Sequence, residues 1–214
     1  FLTAEQKYSI ARTITMRFFN KNEHADIHCN SLPHWQQGDC VTFLTWRLAD
    51  SLPSEKIVEI EKLKHDFELQ YPKPWNMEIK DIYHSMFDEK IEFWLQQGLG
   101  SCILANPNCR KIVEDTLLYY NDIRYHLYAY VIMPNHLHIL LSPFCNLADI
   151  THSIKRYSAK SINSFLGRTG RLWQKESFDH LVRNMEYFKQ YINYIAENPH
   201  NLNSDKYTLA ILSD

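Results

Sequence analysis

The stretch YAYVIMPNHLHILLSP, residues 128–143, decides the fold. It consists of two runs of branched, aromatic and other apolar residues, which are typical of buried strands. The runs meet at Pro134-Asn135, a dipeptide that favours a turn over continued regular structure. We therefore predict two strands, over about residues 125–133 and 136–142, joined by a short connection.

Further strands and helices are predicted on both sides of this pair. Upstream, VTFLTWRL at residues 41–48 is rich in branched and aromatic residues and predicts another strand. Downstream, RTGRLWQ at residues 168–174 predicts a turn and a short strand. Apolar stripes with start and stop signals predict helices over about residues 53–71, 77–97, 106–120, 147–166 and 184–198. This order predicts an α+β domain with a central antiparallel sheet flanked by helices.

The two ends of the chain are predicted to lie outside this domain. Thr3 and Gln6 fit a capping box, and the apolar residues that follow them extend to Phe19, which predicts an N-terminal helix. The polar residues between 20 and 37 predict a loop. The sequence therefore predicts a helical appendage over residues 1–35, a main domain over 36–200 and a tail over 201–214.

Composition narrows the class of protein. The chain has 214 residues, of which 45% are apolar and 22% are charged, and both values are ordinary for a globular protein. No apolar run reaches the roughly 18 residues of a membrane-spanning helix, and the N-terminus lacks a secretory signal pattern. The five cysteines include no CxxC pair, which argues against a cysteine zinc site or a disulfide framework. We expect a cytoplasmic protein without a membrane partner.

Charge is distributed unevenly along the chain, although the net charge is only −2. Residues 50–92 contain eleven acidic and six basic side chains, whereas residues 151–190 contain eight basic and three acidic ones. Such asymmetry can place a positive surface on a nearly neutral protein. Two solvated helix faces would produce the same pattern, so charge alone does not identify a nucleic-acid partner.

His136 and His138 lie two residues apart in a predicted strand. Because side chains alternate across a strand, both imidazoles point to one face, whereas Leu137 and Ile139 point to the other. Two neutral imidazoles held side by side form half of a metal site. A bare His-x-His pair is more often a pair of half-exposed strand residues, so the spacing alone leaves both interpretations open.

The last predicted helix brings two further polar groups together. Phe188, Ile192 and Ile195 form its core face. Tyr194 and Asn198 are four residues apart and lie on a flank about 80° from that face. By themselves, these residues are better explained as a tyrosine at the rim of the core and an ordinary Asn-Pro helix end.

Three stretches of the sequence, taken together, resemble a known family. They are SLPHWQQGDCVTFLTWRLADSLP at residues 31–53, the stretch 128–143 quoted above, and HSIKRYSAKSINSFLGRTGRLWQKESFDHLVRNMEYFKQYINYIAENP at residues 152–199. They resemble the HUH single-tyrosine transposases, and among these the REP-associated tyrosine transposases, bacterial proteins linked to repeated extragenic palindromes. The resemblance covers about residues 31–200, and several motifs in one order are more specific than any single motif.

This resemblance implies a ferredoxin-like HUH domain and assigns roles to individual residues. The two metal-ligand histidines of the family correspond to His136 and His138. Its nucleophile, a tyrosine of the C-terminal helix, corresponds to Tyr194, and the polar residue that completes the metal shell corresponds to Asn198. Rivals in the same part of the chain are Tyr157, Tyr187 and Tyr191 for the nucleophile and Glu197 for the ligand.

The function implied by the resemblance is metal-dependent cleavage and rejoining of single-stranded DNA. A divalent ion, Mg²⁺ or Mn²⁺, would polarise a phosphodiester, and the tyrosine would form a 5′-phosphotyrosine intermediate. The expected partner is single-stranded or hairpin DNA, above all a repeated extragenic palindrome, bound by a monomer or homodimer at the nucleoid. The basic residues expected to contact this DNA are Lys155, Arg156, Lys160, Arg168, Arg171 and Arg183.

Two other functions are compatible with the sequence. A domesticated transposase could hold hairpin DNA without cutting it, although an intact set of His136, His138 and Tyr194 weighs against this alternative. A metal hydrolase unrelated to DNA would need neither the basic segment nor the tyrosine. A covalent adduct between the protein and hairpin DNA would distinguish the proposed transposase from both.

Overall fold

A five-stranded antiparallel sheet forms the centre of the computed structural model, which describes residues 15–29 and 33–212. The strands are β1 (Asp26–Cys29), β2 (Pro33–Gln36), β3 (Thr42–Arg47), β4 (Tyr125–Ile132), β5 (His136–Pro143), β6 (Phe178–Leu181) and β7 (Thr208–Ile211). The α-helices are α1 (Ser54–Gln70), α2 (Met77–Leu95), α3 (Pro107–Tyr120), α4 (Leu147–Phe165) and α5 (Met185–Glu197).

The strand order of the sheet is β6-β3-β5-β4-β7, and each neighbouring pair is antiparallel. Along the chain, β3, α3 and β4 form one strand–helix–strand unit, and β5, α4 and β6 form the next. Four strands in the order β6-β3-β5-β4 with two such units have the ferredoxin-like arrangement. The predicted α+β fold with a central antiparallel sheet is therefore confirmed.

Asparagine side chains begin four of the five described α-helices. Asn76, Asn106, Asn146 and Asn184 precede α2, α3, α4 and α5, and each side-chain oxygen accepts a hydrogen bond from a main-chain N–H of the first turn. Such a cap contributes about 1 kcal/mol to the stability of a helix. Local sequence thus determines where these helices start.

The two faces of the sheet are covered by different helices. On one face, residues such as Leu44 and Leu137 form an apolar core with α3 and α4. On the other face, Phe43 packs in a core that includes residues of α5. Because side chains alternate along a strand, His136 and His138 share the second face with Phe43.

Helices α1 and α2 form a hairpin that is inserted between β3 and α3. Its own apolar core contains Ile60 and Phe67 of α1 with Phe87 and Trp94 of α2, and Phe178 of β6 packs against this core. The hairpin therefore lies against the β6 side of the sheet. None of the described helices is both long and apolar enough to span a lipid bilayer.

Three segments differ from the predictions made from sequence. Residues 20–37, predicted as a loop, contain the antiparallel ribbon of β1 and β2. RTGRLWQ forms only an isolated bridge between Trp173 and Leu48, and strand β6 follows several residues later. The predicted tail contains β7, which pairs with β4 as an edge strand of the sheet. Strands of four residues carry too little alternation to be recognised, and their pairing depends on the neighbouring strand.

The predicted N-terminal helix is mostly outside the described residues, because residues 1–14 are not among them. Residues 15–20, which are described, have no regular secondary structure. The predicted division of the chain into an appendage, a main domain and a tail stays a prediction, although residues 201–212 contribute a strand to the main sheet.

Candidate active site

His136 and His138 of β5 form the centre of a buried polar cluster. Their relative exposures are 0% and 1%, and their ring centroids lie 4.9 Å apart. Strand β5 lies between β3 and β4, so the main chain that carries the two histidines is held on both sides. The shared strand face expected from their spacing is confirmed.

The Nδ1 atoms of both histidines have hydrogen-bonding partners. His136 Nδ1 lies 2.7 Å from Asn135 Oδ1, and His138 Nδ1 lies 2.7 Å from Thr45 Oγ1. The orientation of the Asn135 amide is fixed because its Nδ2 donates to two main-chain carbonyls at and just beyond the end of α2. Asn135 Oδ1 therefore accepts from His136 Nδ1, which leaves the lone pair of the neutral ring on Nε2, where a metal would bind.

A carboxylate from α2 faces the two free ring nitrogens. Glu92 Oε1 lies 3.5 Å from His136 Nε2, and Glu92 Oε2 lies 3.4 Å from His138 Nε2. These separations are long for hydrogen bonds. Two neighbouring ligand atoms bound at ~2.1 Å to one ion would lie roughly 3.0 Å apart in octahedral geometry and roughly 3.4 Å apart in tetrahedral geometry, which is near the observed spacing. Among the described residues, Glu92, His136 and His138 thus form a possible metal site.

Asn198, the ligand expected from the resemblance, lies at the edge of this cluster. Its Nδ2 donates to Glu92 Oε1 at 3.3 Å, whereas its buried Oδ1 has no hydrogen-bonding partner. The Nε2 atoms of His136 and His138 are also buried without a partner. An unsatisfied buried polar atom costs about 1–3 kcal/mol. A divalent cation bound to the Nε2 lone pairs of the two imidazoles and to the amide oxygen, beside the carboxylate, would satisfy all three atoms.

The protonation state of His136 is also the one that a bound cation requires. Burial lowers the pKa of His136, and this effect outweighs the opposing influence of the Glu92 carboxylate. The His136 ring is therefore neutral near pH 7, which is the form that binds metals. Burial acts to raise the pKa of Glu92, whereas the His138 and His136 rings lower it when they carry a proton on the nitrogen that faces the carboxylate.

Glu92 was not among the residues predicted from sequence. Ile91 and Trp94 mark the buried stripe of α2, and Glu92 lies between them in the chain. Asp88 and Glu92 have a four-residue spacing, but a solvent-exposed helix face shows the same spacing. No local signal distinguishes the two cases, because the burial of Glu92 depends on where the inserted hairpin packs.

Tyr194 projects from α5 over the same cluster. Its ring lies edge-on to the His138 ring at a centroid distance of 5.1 Å, and edge-on to the Phe43 ring at 5.7 Å. Burial, followed by the charge of Glu92 and a hydrogen bond with it, raises the pKa of Tyr194, and a hydrogen bond with Asn198 opposes this rise. The phenol is therefore protonated at neutral pH, and its ionisation requires a positive charge near its oxygen.

The rival residues differ in position. Tyr191 lines the same cleft as Tyr194 and stacks on a phenylalanine of β3, with ring centroids 4.4 Å apart. Tyr187 is exposed near the start of α5, and Tyr157 is exposed on α4, across the sheet from the histidines. Glu197 is also exposed. Of the four candidate tyrosines, Tyr191 and Tyr194 share a cleft with His138, and the choice of Tyr194 stays a prediction.

A cleft between α2 and α5 leads to the cluster. Phe43 and Thr45 of β3 lie at its base, Asp88, Glu89 and Glu92 come from α2, and Tyr191 and Tyr194 come from α5. His180 also lines the cleft, and its Nε2 lies 2.7 Å from Asp88 Oδ2. Three carboxylates give the cleft a negative lining. An anionic substrate would need an added positive charge to bind there.

The basic residues expected to contact DNA lie mostly away from this cleft. Lys155, Arg156 and Lys160 belong to α4, which packs on the sheet face opposite to His136. Arg156, Lys160, Arg171 and Arg183 are exposed, whereas Lys155 and Arg168 are half-buried. The sequence alone did not predict that these basic residues of α4 and the two histidines lie on opposite faces of the sheet.

Lys155 already uses all of its hydrogen-bond donors. Its ammonium donates to the carbonyls of Gln174, Lys175 and Glu176 at 3.2–3.3 Å and lies over the Trp46 ring. Burial lowers the pKa of Lys155 to about 8, so the group still carries its charge at pH 7. These contacts give Lys155 a structural role, and its predicted contact with DNA is not needed to explain its position.

Comparisons with known proteins give one distant similarity. No protein-family model and no curated protein matches the chain. Among solved structures, the chain is similar to a REP-associated tyrosine transposase bound to a REP hairpin, with a TM-score of 0.41 and 14% sequence identity. The alignment covers 81% of this chain and 74% of that chain.

Proposed function

We propose that this protein cuts and rejoins single-stranded DNA next to hairpins, through a 5′-phosphotyrosine intermediate on Tyr194. The proposed ligands of a divalent ion, Mg²⁺ or Mn²⁺, are His136, His138 and Glu92, with Asn198 completing the donor set. The proposed DNA partner is a palindrome that forms a hairpin, such as a repeated extragenic palindrome.

The observation that carries this proposal is the position of Tyr194. Its ring lies edge-on to that of His138 at a centroid distance of 5.1 Å, and it lines the cleft together with Glu92. A metal hydrolase that activates water has no need of a phenol at this point. A tyrosine nucleophile, in contrast, must lie beside the group that binds the scissile phosphate.

The proposed reaction exchanges one phosphodiester for another. The Tyr194 oxygen attacks phosphorus, the bond from phosphorus to the 3′ oxygen breaks, and the phenolic proton is lost to water. The departing oxygen takes up a proton and becomes a free 3′-OH. When bound, the divalent ion would polarise the phosphate and favour the phenolate, whose formation the buried site otherwise opposes. Because the phosphotyrosine conserves the bond energy, a 3′-OH can later reverse the step without ATP.

The proposed DNA-binding surface is the exposed side of α4. Arg156 and Lys160 lie there on solvent-accessible positions, across the sheet from the cleft. Lysine and arginine side chains that contact phosphates bind DNA without reading its sequence. We assign the hairpin stem to this surface and the adjoining unpaired strand to the cleft.

A gel experiment tests the proposal directly. The protein is incubated with Mn²⁺ and a DNA hairpin that carries an unpaired flank, and the products are separated under denaturing conditions. We expect a covalent protein–DNA adduct and a released strand with a free 3′-OH. A continuous duplex of the same sequence is the control and should give no adduct, because the scissile phosphate must enter a narrow cleft. Binding of the hairpin without any adduct would support the non-cleaving alternative.

A further inference from the structure

Another cavity, of about 300 Å³, lies on the sheet face opposite to the histidines, and the proposed chemistry does not use it. It is bordered by the β1–β2 ribbon, the start of α4 and strand β6. Leu44 of β3 lines it and pairs with Asp179 in the β3–β6 register, so both side chains lie on the α4 side of the sheet. Among the described residues, none that lines this cavity also lines the cleft that contains Tyr194. This cavity and the cleft are therefore separate.

Hydrogen bonds between its walls fix the shape of this cavity. The main-chain N–H of Trp35 in the ribbon donates to Asp179 Oδ2 of β6 at 3.2 Å. The side-chain oxygen of Gln36, also in the ribbon, accepts from the main-chain N–H of Leu147 at the start of α4 at 2.8 Å. Because the ribbon is joined to both neighbouring elements, the cavity is pre-formed, as ligand sites usually are.

Two buried polar side chains line this cavity. Asp179 is 3% exposed and Ser177 is 8% exposed. Within residues 15–29 and 33–212, the Ser177 hydroxyl has no hydrogen-bonding partner, so it is available to a ligand in the cavity. Most of the remaining lining is apolar and includes Trp35, Leu44 and Leu147. Apolar walls with a few polar groups are typical of sites that bind a small organic group.

The charges around the cavity favour a neutral occupant with hydrogen-bond donors. Asp26, Glu176 and Asp179 contribute three carboxylates, which repel a phosphate group. Of the two lysines in the lining, Lys155 already donates to three main-chain carbonyls, and Lys175 is exposed. A carboxylate accepts hydrogen bonds and donates none. The buried Asp179 side chain therefore selects groups that carry N–H or O–H donors.

The cavity lies beside the basic surface of α4. His152, which lines the cavity, is followed at four-residue intervals by Arg156 and Lys160, and all three are exposed. Residues with this spacing lie along one side of a helix, here over about 12 Å. Arg156 and Lys160 are the proposed contacts to the hairpin stem, so a nucleotide that leaves the stem lies within reach of the cavity.

We propose that this cavity binds one unpaired nucleobase of the hairpin, from the loop or from a bulge in the stem, and that it selects bases with an exocyclic amino group. Guanine, adenine and cytosine have such a group, and thymine does not. The flat ring would lie among the apolar walls, while its amino edge would donate to Asp179 and meet the Ser177 hydroxyl. The identity of the occupant rests on the proposed function, whereas the affinity for a nucleobase does not.

Free deoxynucleosides are the probe for the cavity, added to the protein while the indole Nε1–H resonance of Trp35 is followed by NMR. We expect deoxyguanosine, deoxyadenosine and deoxycytidine to produce a saturable shift, and thymidine to bind on the order of tenfold more weakly. Ser177→Ala should weaken deoxyguanosine binding about fivefold. Ser164→Ala, which alters an exposed serine of α4 outside the cavity, is the matched control and should change nothing. An unmoved Trp35 resonance, equal binding of thymidine, or equal affinity in Ser177→Ala would overturn the site.

Asp179→Asn tests the basis of the selectivity. The amide oxygen can still accept from the Trp35 N–H, whereas the amide nitrogen now offers donors to the ligand. We expect the ratio of thymidine affinity to deoxyguanosine affinity to rise about tenfold, because thymine O4 is an acceptor. A purely structural role of Asp179 would weaken both nucleosides equally, and an unchanged ratio would overturn the proposed selectivity. If this variant does not fold, the Ser177→Ala titration decides.

The DNA part of the inference is tested by replacing single unpaired nucleotides of a hairpin with abasic residues. We expect one position, in the loop or in a bulge, to lose affinity about tenfold without a change in the salt slope, because a base carries no charge. Equal affinity for every abasic hairpin would show that the cavity does not bind DNA. If nucleosides bind at Trp35 but no hairpin ever forms an adduct, the proposed function fails and the nucleobase site stands. If the adduct forms but nucleosides do not bind, the function stands and this site fails.

Discussion

Glu92 Oε2 lies 3.4 Å from Nε2 of His138, and this contact joins the inserted helical hairpin to the central strand of the sheet. The hairpin is also tied to the sheet by the pair Asp88–His180 and by the packing of Phe178. Assembly of the candidate metal site therefore depends on how α2 packs against the sheet. The acid that completes the site comes from outside the ferredoxin-like core.

The first prediction concerns Glu92 as a metal ligand. Glu92→Gln should weaken Mn²⁺ binding at least on the order of tenfold, because it removes a negative charge that faces both Nε2 atoms. Isothermal titration calorimetry measures the change. Glu89→Gln is the matched control, since Glu89 is an exposed acid on the same wall of the cleft. Equal losses of Mn²⁺ affinity in the two variants would mean that Glu92 acts only through its negative charge and is not a metal ligand.

The second prediction concerns the nucleophile. Tyr194→Phe removes one oxygen and little volume, so hairpin binding should persist while the covalent adduct disappears. Tyr191→Phe, from the same cleft, should still form the adduct, because Tyr191 stacks on Phe43 and is not the proposed nucleophile. Mass spectrometry of the adduct, with DNA labelled at either end, identifies the residue and the polarity. A 3′-phosphate link, or an adduct on Tyr157, Tyr187 or Tyr191, would contradict the assignment.

The third prediction concerns Asn135, which positions His136 without touching the ion. Its amide bridges His136 Nδ1 and the carbonyls of Leu95 and Leu99, so it connects the end of α2 to the strand. Asn135→Ala should lower metal affinity by about 10- to 100-fold. It should also allow the other tautomer of the metal-free His136 ring, which the ¹⁵N shifts of the imidazole report. Unchanged shifts and affinity would show that Asn135 only fills space.

The fourth prediction separates DNA contacts from structural contacts on α4. Replacing both Arg156 and Lys160 with Gln should weaken hairpin binding and lower its salt slope by roughly two, with little change in Tm. Lys155→Met should instead destabilise the fold by about 2 kcal/mol, because three carbonyls lose their charged donor. The affinity of the folded Lys155→Met protein for DNA should stay near that of the parent. If Lys155→Met weakens DNA binding more than the double variant does, Lys155 contacts the DNA and the assignment of a structural role is wrong.

The sequence by itself determined the features that depend on near neighbours in the chain. Strand alternation gave His136 and His138 a common face, and helix periodicity placed Tyr194 and Asn198 on one flank. Asparagine caps and proline breaks marked the start or end of most helices. The order of these elements was enough to predict the α+β fold with its antiparallel sheet, because each signal is contained within a few residues.

Only the tertiary structure decided which distant groups meet. Glu92 reaches the histidines because the inserted hairpin packs on their face of the sheet, and no residue near Glu92 in the chain encodes that contact. The opposite placement of α4 likewise separates Arg156 from the cleft, although both belong to the predicted DNA-binding function. β7 joins the sheet only because β4 offers it a free edge. Such contacts depend on how whole helices and strands pack together. The packing energy is shared among many side chains that are distant in the chain, so a local sequence pattern does not reveal which groups will meet.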